Sequence, residues 1–403
     1  MDMKNAAEVK NVIKIDHNST GMEAFNPTHI QLINEDHLAI VILGVVEDEI
    51  CIYTTEGKNS MHEVIDDDHV KCIAVHSGHV YMGLQSGNLT RIAVKSFLKG
   101  KLQKDVTCTM VNENRPILSM AFGRRSVVVC SGGYLYQYPL EFTKNDDDMK
   151  NVKLQKLHAR QRIVELLKLP LSYMARDENG KGICSNASDD EITAVEMLAV
   201  RFECLAEVQI VELDTFRVVA KIELGDKILE LTHNCEESDR RVTTICAVCD
   251  VLWVGTGSGH IFVYDIGCVF EGGSCDNEVK RPDLLTVFQP YSMELRKLCL
   301  WEIPSTSANS NSRGNNSNDI PRGVEFLVVS TGKKLNADAF GGNQALCKLT
   351  SDFPPEDERV IVQGSPTNSV TSFDTTLKNP EGKTILFWYA SDAKTMRILM
   401  RDT

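Results

Sequence analysis

The amino-acid sequence predicts an all-β fold, a seven-bladed β-propeller whose ring is closed by a strand from the N-terminal region. Three observations lead to this prediction. Short β-rich runs recur along the 403 residues, they repeat at a spacing of about 43 residues, and the last repeat lacks one strand. A propeller blade of four strands takes about 40 to 45 residues, which matches this spacing.

The β-rich runs are four to nine residues long and carry many valine, isoleucine, tyrosine and phenylalanine residues. Glycine, asparagine, aspartate or serine bounds them, which is typical of short strands joined by turns. Examples are HLAIVILG, VKCIAV, RSVVVC, AEVQIVEL, TTICAV and ILFWYA. Almost no part of the chain keeps a helical period for long, so the pattern favours strands throughout.

The repeat is clearest in two stretches that align without gaps, VYMGLQSGNLTRIAV (80–94) and LWVGTGSGHIFVYDI (252–266). The alignment pairs Gly83 with Gly255, Ser86 with Ser258, and Gly87 with Gly259. The offset between the stretches is 172 residues, or four units of 43. Weaker copies at 39–54, 127–140, 197–215, 326–349 and 386–400 bring the number of central hairpins to seven.

The ring closure is predicted from the two ends of this repeat pattern. Seven blades of four strands need 28 strands, and the last repeat stops after its third strand. Residues 11–16, NVIKID, form an isolated strand candidate before the first blade. If this strand completes the last blade, no open sheet edge is left in the ring, and residues 1–403 form a single domain.

Two segments interrupt the repeat. Residues 170–191 are polar and rich in glycine, aspartate and asparagine, and residues 305–319, STSANSNSRGNNSND, have low complexity. Neither segment carries enough apolar residues to order itself against a core. We therefore expect two long loops, grown from the fourth and sixth blades.

Composition narrows the class of protein and its partners. The formal net charge is -13, which argues against nucleic acid as a partner because phosphate binding needs a cationic surface. No apolar run approaches the roughly 20 residues that a membrane-spanning helix needs. The 13 cysteines are scattered, odd in number and set in apolar runs. Reduced, buried thiols in a cytoplasmic protein explain this usage better than disulfides do.

The glycine-rich stretch 252–266 admits two interpretations, a phosphate-binding loop or a tight hairpin. A dinucleotide-binding loop requires a helix after its glycines, because the pyrophosphate sits on the helix N-terminus. Here HIFVYDI follows, which has the pattern of a strand, so the hairpin is favoured. Tyr264 and Asp265 fall where WD repeats carry their Trp-Asp pair, which makes the predicted propeller WD40-like, although divergent.

No motif in the sequence predicts catalytic, cofactor-binding or metal-binding residues. The pair Cys246 and Cys249 lacks a second pair at zinc-binding spacing, and strand residues three apart point to opposite faces. G-x-S-x-G and H-E-x-x-H are both missing, and Ser258 falls in the predicted hairpin turn. A propeller enzyme stays open as an alternative. It would need ionisable side chains that converge on the central channel.

Two basic segments stand out in this acidic chain, 91–104 and 150–162, each without an acidic residue. The basic residues are Arg91, Lys95, Lys99, Lys101 and Lys104 in the first segment, and Lys150, Lys153, Lys156, Arg160 and Arg162 in the second. The repeat register predicts that the segments are the outer strands of the second and third blades, side by side on the rim. They would either protect exposed strand edges or dock an acidic partner, such as a protein face or anionic lipid.

The stretch LWVGTGSGHIFVYDI resembles the matching blade of the C-terminal WD40-like propeller in the leucine-rich-repeat kinases of the Roco family. The likeness is specific over residues 244–266, and similar hairpins occur in propellers of Rho guanine-nucleotide exchange factors and kinase scaffolds. It implies an interaction domain that serves in dimerisation, in microtubule or vesicle association, and in control of kinase output. The chain itself has no kinase or P-loop motif, so no catalysis carries over.

From these observations we predict a non-catalytic WD40-like scaffold for protein–protein interaction, without cofactors. The resemblance suggests the regulatory region of a leucine-rich-repeat kinase-like signalling protein. The propeller of a Rho exchange factor or kinase scaffold, and a propeller enzyme, are the alternatives. Expected partners are other proteins, including acidic surfaces such as microtubules or a vesicle-associated protein, or a second copy of the chain, with no nucleic acid and no membrane insertion.

Overall fold

The computed structural model describes residues 9–14, 27–34, 36–42, 48–54, 58–65, 68–100, 107–112, 114–142, 152–158, 160–169, 174–176, 182–184, 195–232, 236–248, 250–270, 279–289, 294–304, 324–336, 339–348, 358–363, 370–378, 384–390 and 395–400. Three short α-helices lie among the strands of this part of the chain, α1 (Val94–Phe97), α2 (Gly225–Leu231) and α3 (Gly267–Phe270), with a 3-10 helix at Glu237–Arg240.

The strands of the first half are β1 (Val9–Lys14), β2 (Pro27–Asn34), β3 (His37–Ile42), β4 (Asp48–Thr54), β5 (Asn59–Ile65), β6 (Val70–His76), β7 (His79–Leu84), β8 (Asn88–Ala93), β9 (Thr107–Met110), β10 (Ile117–Phe122), β11 (Ser126–Ser131), β12 (Tyr134–Pro139), β13 (Lys153–Lys156), β14 (Ile163–Lys168), β15 (Met174–Arg176) and β16 (Gly182–Cys184). The strands of the second half are β17 (Met197–Phe202), β18 (Glu207–Glu212), β19 (Val218–Glu223), β20 (Val242–Val248), β21 (Val251–Thr256), β22 (Ile261–Asp265), β23 (Asp283–Phe288), β24 (Leu295–Pro304), β25 (Val324–Asn336), β26 (Ala339–Lys348), β27 (Glu358–Gln363), β28 (Val370–Lys378), β29 (Thr384–Ala390) and β30 (Thr395–Met400).

These strands form seven four-stranded antiparallel sheets and one two-stranded sheet in the described part of the chain. Numbered along the chain, they are sheet 1 (β2–β5), sheet 2 (β6–β9), sheet 3 (β10–β13), sheet 4 (β14 and β17–β19), sheet 5 (β20–β23), sheet 6 (β24–β27) and sheet 7 (β28, β29, β30 and β1). The first strand of each sheet contacts the first strand of the next, and β28 of sheet 7 contacts β2 of sheet 1. These seven strands therefore surround a central channel, and the fourth strand of each sheet lies at the rim.

Sheet 7 joins the two ends of the described chain. Strand β1 pairs antiparallel with β30, with Val12 opposite Arg397 and Lys14 opposite Thr395. The strand starts two residues before the predicted segment 11–16 and ends two residues earlier. The extent of a single domain over 1–403 stays a prediction.

The core lies between neighbouring sheets. Each of the four interfaces from sheet 1 to sheet 5 has its own cluster of buried apolar side chains. Tyr81 of sheet 2 packs with Tyr138 of sheet 3, and Val254 and Phe262 of sheet 5 pack against sheet 4. The second strands are apolar on both faces, as in β21, because each sheet is covered on both sides. Burial of this surface, worth about 25 cal/mol per Å² of apolar area, stabilises the ring.

Two strand glycines set the close approach of neighbouring sheets. A Cβ atom on Gly83 would lie 2.6 Å from Cγ2 of Ile117, and one on Gly255 would lie 2.5 Å from Cδ2 of Leu295. Ile117 and Leu295 are both the first residue of the next sheet's innermost strand. The two glycines therefore have the same structural role, which confirms the alignment of the two stretches. They lie in sheets 2 and 5, three sheets apart, so the predicted offset of four units was wrong, because the long connection between β14 and β17 lengthens sheet 4.

The predictions for the two loops, 170–191 and 305–319, have different outcomes. Within 170–191, residues Met174–Arg176 and Gly182–Cys184 pair as a small antiparallel hairpin between β14 and β17, so the prediction of a loop without secondary structure was wrong there. A short ladder of backbone hydrogen bonds forms even in this polar sequence. The segment 305–319 lies outside the described residues.

Candidate interaction sites at the rim and the channel

The glycine-rich stretch is a hairpin, as predicted. Strands β21 and β22 are joined by a turn in which Thr256 N donates to His260 O at 3.0 Å, and Gly259 adopts a φ of +79°. The Ser258 hydroxyl lies 3.0 Å from both Thr256 Oγ1 and His260 Nδ1, and all three residues are buried. Burial lowers the pKa of His260, so the imidazole is neutral near pH 7. These groups satisfy one another within the turn.

The first basic segment does not form an outer strand, which corrects the prediction for 91–104. Arg91 lies in β8, the third strand of sheet 2, Lys95 lies in α1, and Lys99 follows that helix. The outer strand is β9, whose sequence TCTM carries no charge. Lys101 and Lys104 lie outside the described residues. The apolar side chain of Phe97 anchors α1 in the core, which a strand pattern over this segment does not anticipate.

The second basic segment forms an outer strand only in part. Lys153 and Lys156 begin and end β13 of sheet 3, in agreement with the prediction. Arg160 and Arg162 instead lie in the connection from β13 to β14. Lys150 lies outside the described residues.

The basic residues are divided between the two ends of sheet 3, with Arg91 and Lys153 toward one end and Arg160 and Arg162 toward the other. The Arg91 guanidinium donates to Leu140 O at 2.6 Å, where the chain leaves β12. The connection 157–163 lies at the other end of sheet 3, where Ile163 N donates to Gly132 O at 2.7 Å. The prediction that the two segments are adjacent outer strands was therefore wrong for Arg91, Lys95 and Lys99 and for Arg160 and Arg162, and it is confirmed only for Lys153 and Lys156.

Several of these basic groups already have partners inside the chain. Arg162 binds the Glu203 carboxylate through two nitrogens at 2.7 Å, and Arg91 lies over the Phe142 ring. Lys153 donates to Asp214 O and lies over the Phe216 ring, and Lys156 lies over the Tyr134 ring. Lys95, Lys99 and Arg160 are exposed and make none of these contacts, and Lys156 is exposed despite its contact with the ring.

A groove with a volume of about 360 Å³ opens at the rim between sheets 4 and 5. We call it the side groove. The residues that line it are Lys221, Ile222, Glu223, Lys227, Tyr264, Val279, Arg281 and Pro282. Its floor is unusual, because residues 279–281 run parallel to β19 and extend sheet 4 by one short segment. Lys221 N donates to Lys280 O at 3.1 Å, and Lys280 N donates to Val219 O at 2.9 Å.

The side groove combines positive charge with an unsatisfied phenol. The Lys227 ammonium lies 5.1 Å from the centre of the Tyr264 ring. Tyr264 is buried, its hydroxyl has no hydrogen-bond partner in the described part of the chain, and burial raises its pKa, so it stays a donor. Lys221 is bound to Glu207 at 2.8 Å and to Glu223 at 2.7 Å. Its charge is therefore largely balanced within the chain.

Exposed apolar side chains lie at the groove and just after it along the chain: Val279 lines the groove, and Leu284 and Leu285 follow its lining residue Pro282. Val279, Leu284 and Leu285 keep between 36% and 45% of their surface exposed. Leu284 and Leu285 belong to β23, the outer strand of sheet 5, whose outer edge pairs with no other strand in the described part of the chain. Sequence reasoning missed this surface. Two consecutive leucines in a rim strand were the available signal, because strand neighbours face opposite sides and one must point outward.

The innermost strands, which surround the central channel, share a backbone feature. Each of the seven innermost strands has a register shift after its first residue, the mark of a β-bulge. In sheets 1 to 6 the residues after the bulge are His29, Cys72, Ser119, Glu165, Thr244 and Lys297.

Four of these side chains link one sheet to the next. His29 Nε2 donates to Lys71 O at 2.8 Å, and Cys72 Sγ donates to Ile117 O at 3.4 Å. Ser119 Oγ and Thr244 Oγ1 each accept a backbone N–H of the following sheet at 3.0 Å. Equivalent positions therefore carry equivalent inter-sheet hydrogen bonds.

Glu165 and Lys297 depart from this pattern and form an ion pair. Glu165 Oε2 accepts from Arg201 Nε at 2.8 Å, and Glu165 Oε1 lies 3.4 Å from Lys297 Nζ. Glu165 belongs to sheet 4 and Lys297 to sheet 6, so the contact passes sheet 5 and reaches across the channel. Burial acts to raise the pKa of Glu165, but the charges of Lys297 and Arg201 outweigh it, and the pKa lies below its ordinary value.

His29 lies in the same region of the channel. Burial and the nearby ammonium groups of Lys71 and Lys297 lower its pKa, against the opposing effects of its bond to Lys71 O and of Asp48. The neutral ring donates through Nε2 and faces Thr28 Oγ1 with Nδ1 at 2.9 Å. We call the set Glu165, Arg201 and Lys297 the channel cluster.

A propeller enzyme would need ionisable side chains that converge on the central channel. The channel cluster meets this condition, since its groups come from sheets 4 and 6. Its chemistry favours binding over proton transfer. A carboxylate with a low pKa that is held by two cations is a weak general base, and the imidazole of His29 is engaged on both nitrogens. In the described part of the chain no group of three His, Cys, Asp or Glu residues could hold a metal ion. No helix there is long and apolar enough to cross a membrane.

Comparison with known proteins identifies the fold. No protein-family model and no curated protein matches the sequence. One chain in the crystal structure of a mitotic checkpoint complex is similar over 100% of this chain and 94% of its own length, with 12% identity and a TM-score of 0.56. The WD40 β-propeller domain of Doa1 is similar over 98% of both chains, with 10% identity and a TM-score of 0.55. These likenesses confirm the predicted all-β, WD40-like propeller fold, and they show the fold alone.

Proposed function

We propose that this protein is a non-catalytic platform for protein–protein interaction, and that the side groove is its main docking site. The observation that carries the proposal is the exposed apolar border of Val279, Leu284 and Leu285 next to a cationic groove. Exposed apolar groups that cluster beside polar ones are typical of interaction surfaces. The propeller fold supports this role as an analogy.

The occupant that fits the side groove is an extended segment of another protein with apolar residues and an acidic residue. Lys227 and Arg281 form no salt bridge among the residues that the structure describes, although Glu223, which also lines the groove, attracts the Arg281 charge. A carboxylate of the occupant would bind Lys227 and compete with Glu223 for Arg281. The edge of β23 offers backbone groups to an added strand, in the way that residues 279–281 extend sheet 4 along β19.

The finer assignments are further proposals. Residues 244–266 support the regulatory region of a leucine-rich-repeat kinase-like signalling protein, and a Rho exchange factor or kinase scaffold is the alternative. The seven cysteines whose side chains the structure describes are all free thiols, which supports a cytoplasmic setting. A second copy of the chain, a microtubule or a vesicle-associated protein remain candidate partners.

The basic residues of sheet 3 are a second, smaller candidate surface for an acidic partner. Lys156 and Arg160 are exposed and lie near one another in sequence at the rim. Changing both to glutamate would abolish salt-sensitive binding of an acidic partner at this surface. If the double variant keeps the salt-sensitive binding of the natural protein, this surface is not the docking site of that partner.

The docking proposal is tested by comparing three forms of the full chain as bait: the natural protein, the variant Leu285→Asp, and the matched control Leu154→Asp. Leu154 is also an exposed leucine in an outer strand, but it lies on sheet 3. Proteins captured by the natural chain and by the control, but lost with Leu285→Asp, would identify partners of the side groove.

The identified partner is then titrated against purified Lys227→Glu and Arg281→Glu. We expect each charge reversal to weaken binding about tenfold or more, and the loss to shrink at high salt. If Leu285→Asp and Leu154→Asp capture the same proteins, the side groove is not the docking site.

A further inference from the structure

One end of sheets 2 and 3 brings together basic side chains from separate parts of the chain. At this end α1 follows β8, and Val94 N donates to Gly78 O, in the turn between β6 and β7, at 2.9 Å. In sheet 3, Leu140 N donates to Arg125 O at 3.2 Å, so the chain leaves β12 beside the turn between β10 and β11. The Arg91 guanidinium joins the two sheets, since it donates to Leu140 O at 2.6 Å. The helix α1 and the turn of sheet 3 therefore lie at the same end of neighbouring sheets.

The outer strand of sheet 3 adds a further cation to this end. Lys153 begins β13 and pairs with Gln137 near the end of β12. Four members of the group are exposed, two on and just after α1 and two in the turn between β10 and β11. We call the whole group the basic face; its residues are Arg91, Lys95, Lys99, Arg124, Arg125 and Lys153.

Most charges of the basic face are not balanced by an acidic group. Lys95, Lys99 and Arg125 form no salt bridge with any residue that the structure describes. Arg91 and Lys153 each bind a backbone carbonyl oxygen and lie over an aromatic ring, contacts that fix the side chain but leave its positive charge uncompensated. An incoming carboxylate therefore finds cations that are already positioned.

Acidic side chains near this end do not cancel the excess. Glu196 and Glu212 of the neighbouring sheet 4 are held in salt bridges, and Glu141 and Asp214 are exposed beside the six basic groups. The parts of the connections from α1 to β9 and from β12 to β13 that lie outside the described residues contain four lysines and four aspartates, so their sequences add no net charge. The excess is notable in a chain with a formal net charge of -13.

We propose that the basic face binds a short acidic segment of another protein. Guanidinium and ammonium groups form charge-assisted hydrogen bonds with carboxylates. Stacked sheets lie about 10 Å apart and an extended chain advances about 3.3 Å per residue, so acidic residues about three positions apart would reach both sheets. A short segment meets mainly the local charges, because the Debye length is about 8 Å at physiological salt. A flat anionic membrane extends farther and meets the field of the acidic chain as a whole. This site is separate from the side groove, and either proposal can fail without the other.

The test is a fluorescence anisotropy titration of a labelled seven-residue peptide with the full chain. The peptide carries glutamate at its first, fourth and seventh positions and serine between them. We expect saturable binding that weakens at high salt, and no binding of the peptide in which glutamine replaces glutamate. Arg125→Glu should weaken binding about fivefold or more, because it replaces an attraction with a repulsion, and Lys95→Glu should weaken it in the same way from sheet 2.

Arg160→Glu is the matched control, since Arg160 is also exposed but lies at the other end of sheet 3, between β13 and β14. It changes the net charge by the same amount and should bind the peptide like the natural protein. Circular dichroism establishes that each variant is folded. If Arg125→Glu and Arg160→Glu lose binding equally, the peptide responds to net charge and the proposal is wrong. Sedimentation with phosphatidylserine vesicles is the second arm: a chain that binds the vesicles and not the peptide would also contradict it.

Discussion

The inter-sheet hydrogen bond of Thr244 allows a sharp test of how the ring is held together. Thr244 is 1% exposed, and its Oγ1 accepts the backbone N–H of Leu298 at 3.0 Å, which joins sheet 5 to sheet 6. The substitution Thr244→Val keeps the shape of the side chain and removes the acceptor. The N–H of Leu298, which is buried, is then left without its partner.

The expected loss follows from that orphaned donor. A buried donor without a partner costs about 1 to 3 kcal/mol of unfolding free energy. Unfolding entropy is about 2.1 cal/mol/K per residue, or about 0.85 kcal/mol/K for a chain of this length. Thr244→Val should therefore lower the unfolding temperature by about 1 to 4 °C.

Differential scanning calorimetry measures this shift, and Thr90→Val is the matched control. Thr90 is also buried, but its hydroxyl donates to Met82 O within sheet 2, so its removal orphans no donor. We expect a smaller shift for the control. Equal shifts for the two variants, or no shift for Thr244→Val, would refute the inter-sheet role of this side chain.

Three further predictions concern packing, closure and charge. Gly255→Ala should cost about 1 to 3 kcal/mol, because its Cβ would lie 2.5 Å from Leu295, whereas Gly225→Ala, with its nearest neighbour at 3.9 Å, should be tolerated in the same urea titration. Removal of residues 1–20 should cost most of the stability, since β30 loses its partner β1, and an unchanged melting temperature would contradict this closure. Because the folded pKa of Glu165 is lowered, its ionised form stabilises the fold above its ordinary pKa near 4.5, and this contribution is lost as the pH falls through the folded pKa. The urea midpoints of the natural protein and Glu165→Gln should thus differ at pH 7 and approach each other in acid; a constant difference would exclude this linkage.

The sequence predicted features that local patterns encode. The hairpins could be aligned because Gly83 and Gly255 both lie where the next sheet leaves no room for a Cβ atom. Turn residues also recur at the same offset from the two glycines. The outer strands were harder to predict. Their side chains are half exposed, so they carry a weak apolar pattern, and the basic residues of 91–99 were assigned to a strand although they occupy the end of β8 and the helix α1.

The channel cluster was beyond sequence reasoning for a different reason. Glu165 and Lys297 are 132 positions apart, and only the closed arrangement of the sheets brings them within 3.4 Å. The bulge that aligns their side chains is a backbone feature without a residue signature. The side groove likewise depends on residues 279–281, whose path along β19 no periodicity encodes.

The pairing of β1 with β30 has a consequence for biosynthesis. The first strand leaves the ribosome early, but its partner is made almost 400 residues later. Closing a loop of that length costs about 5 kcal/mol of chain entropy, a modest amount beside the apolar burial and backbone pairing that a closed ring provides. The delay matters more than the cost, because until the last hairpin is made the nascent chain exposes the faces of sheets 1 and 6 that sheet 7 covers in the closed ring. We expect chaperones to bind during that interval, and slow translation of the segment that contains β28 to β30 to prolong it.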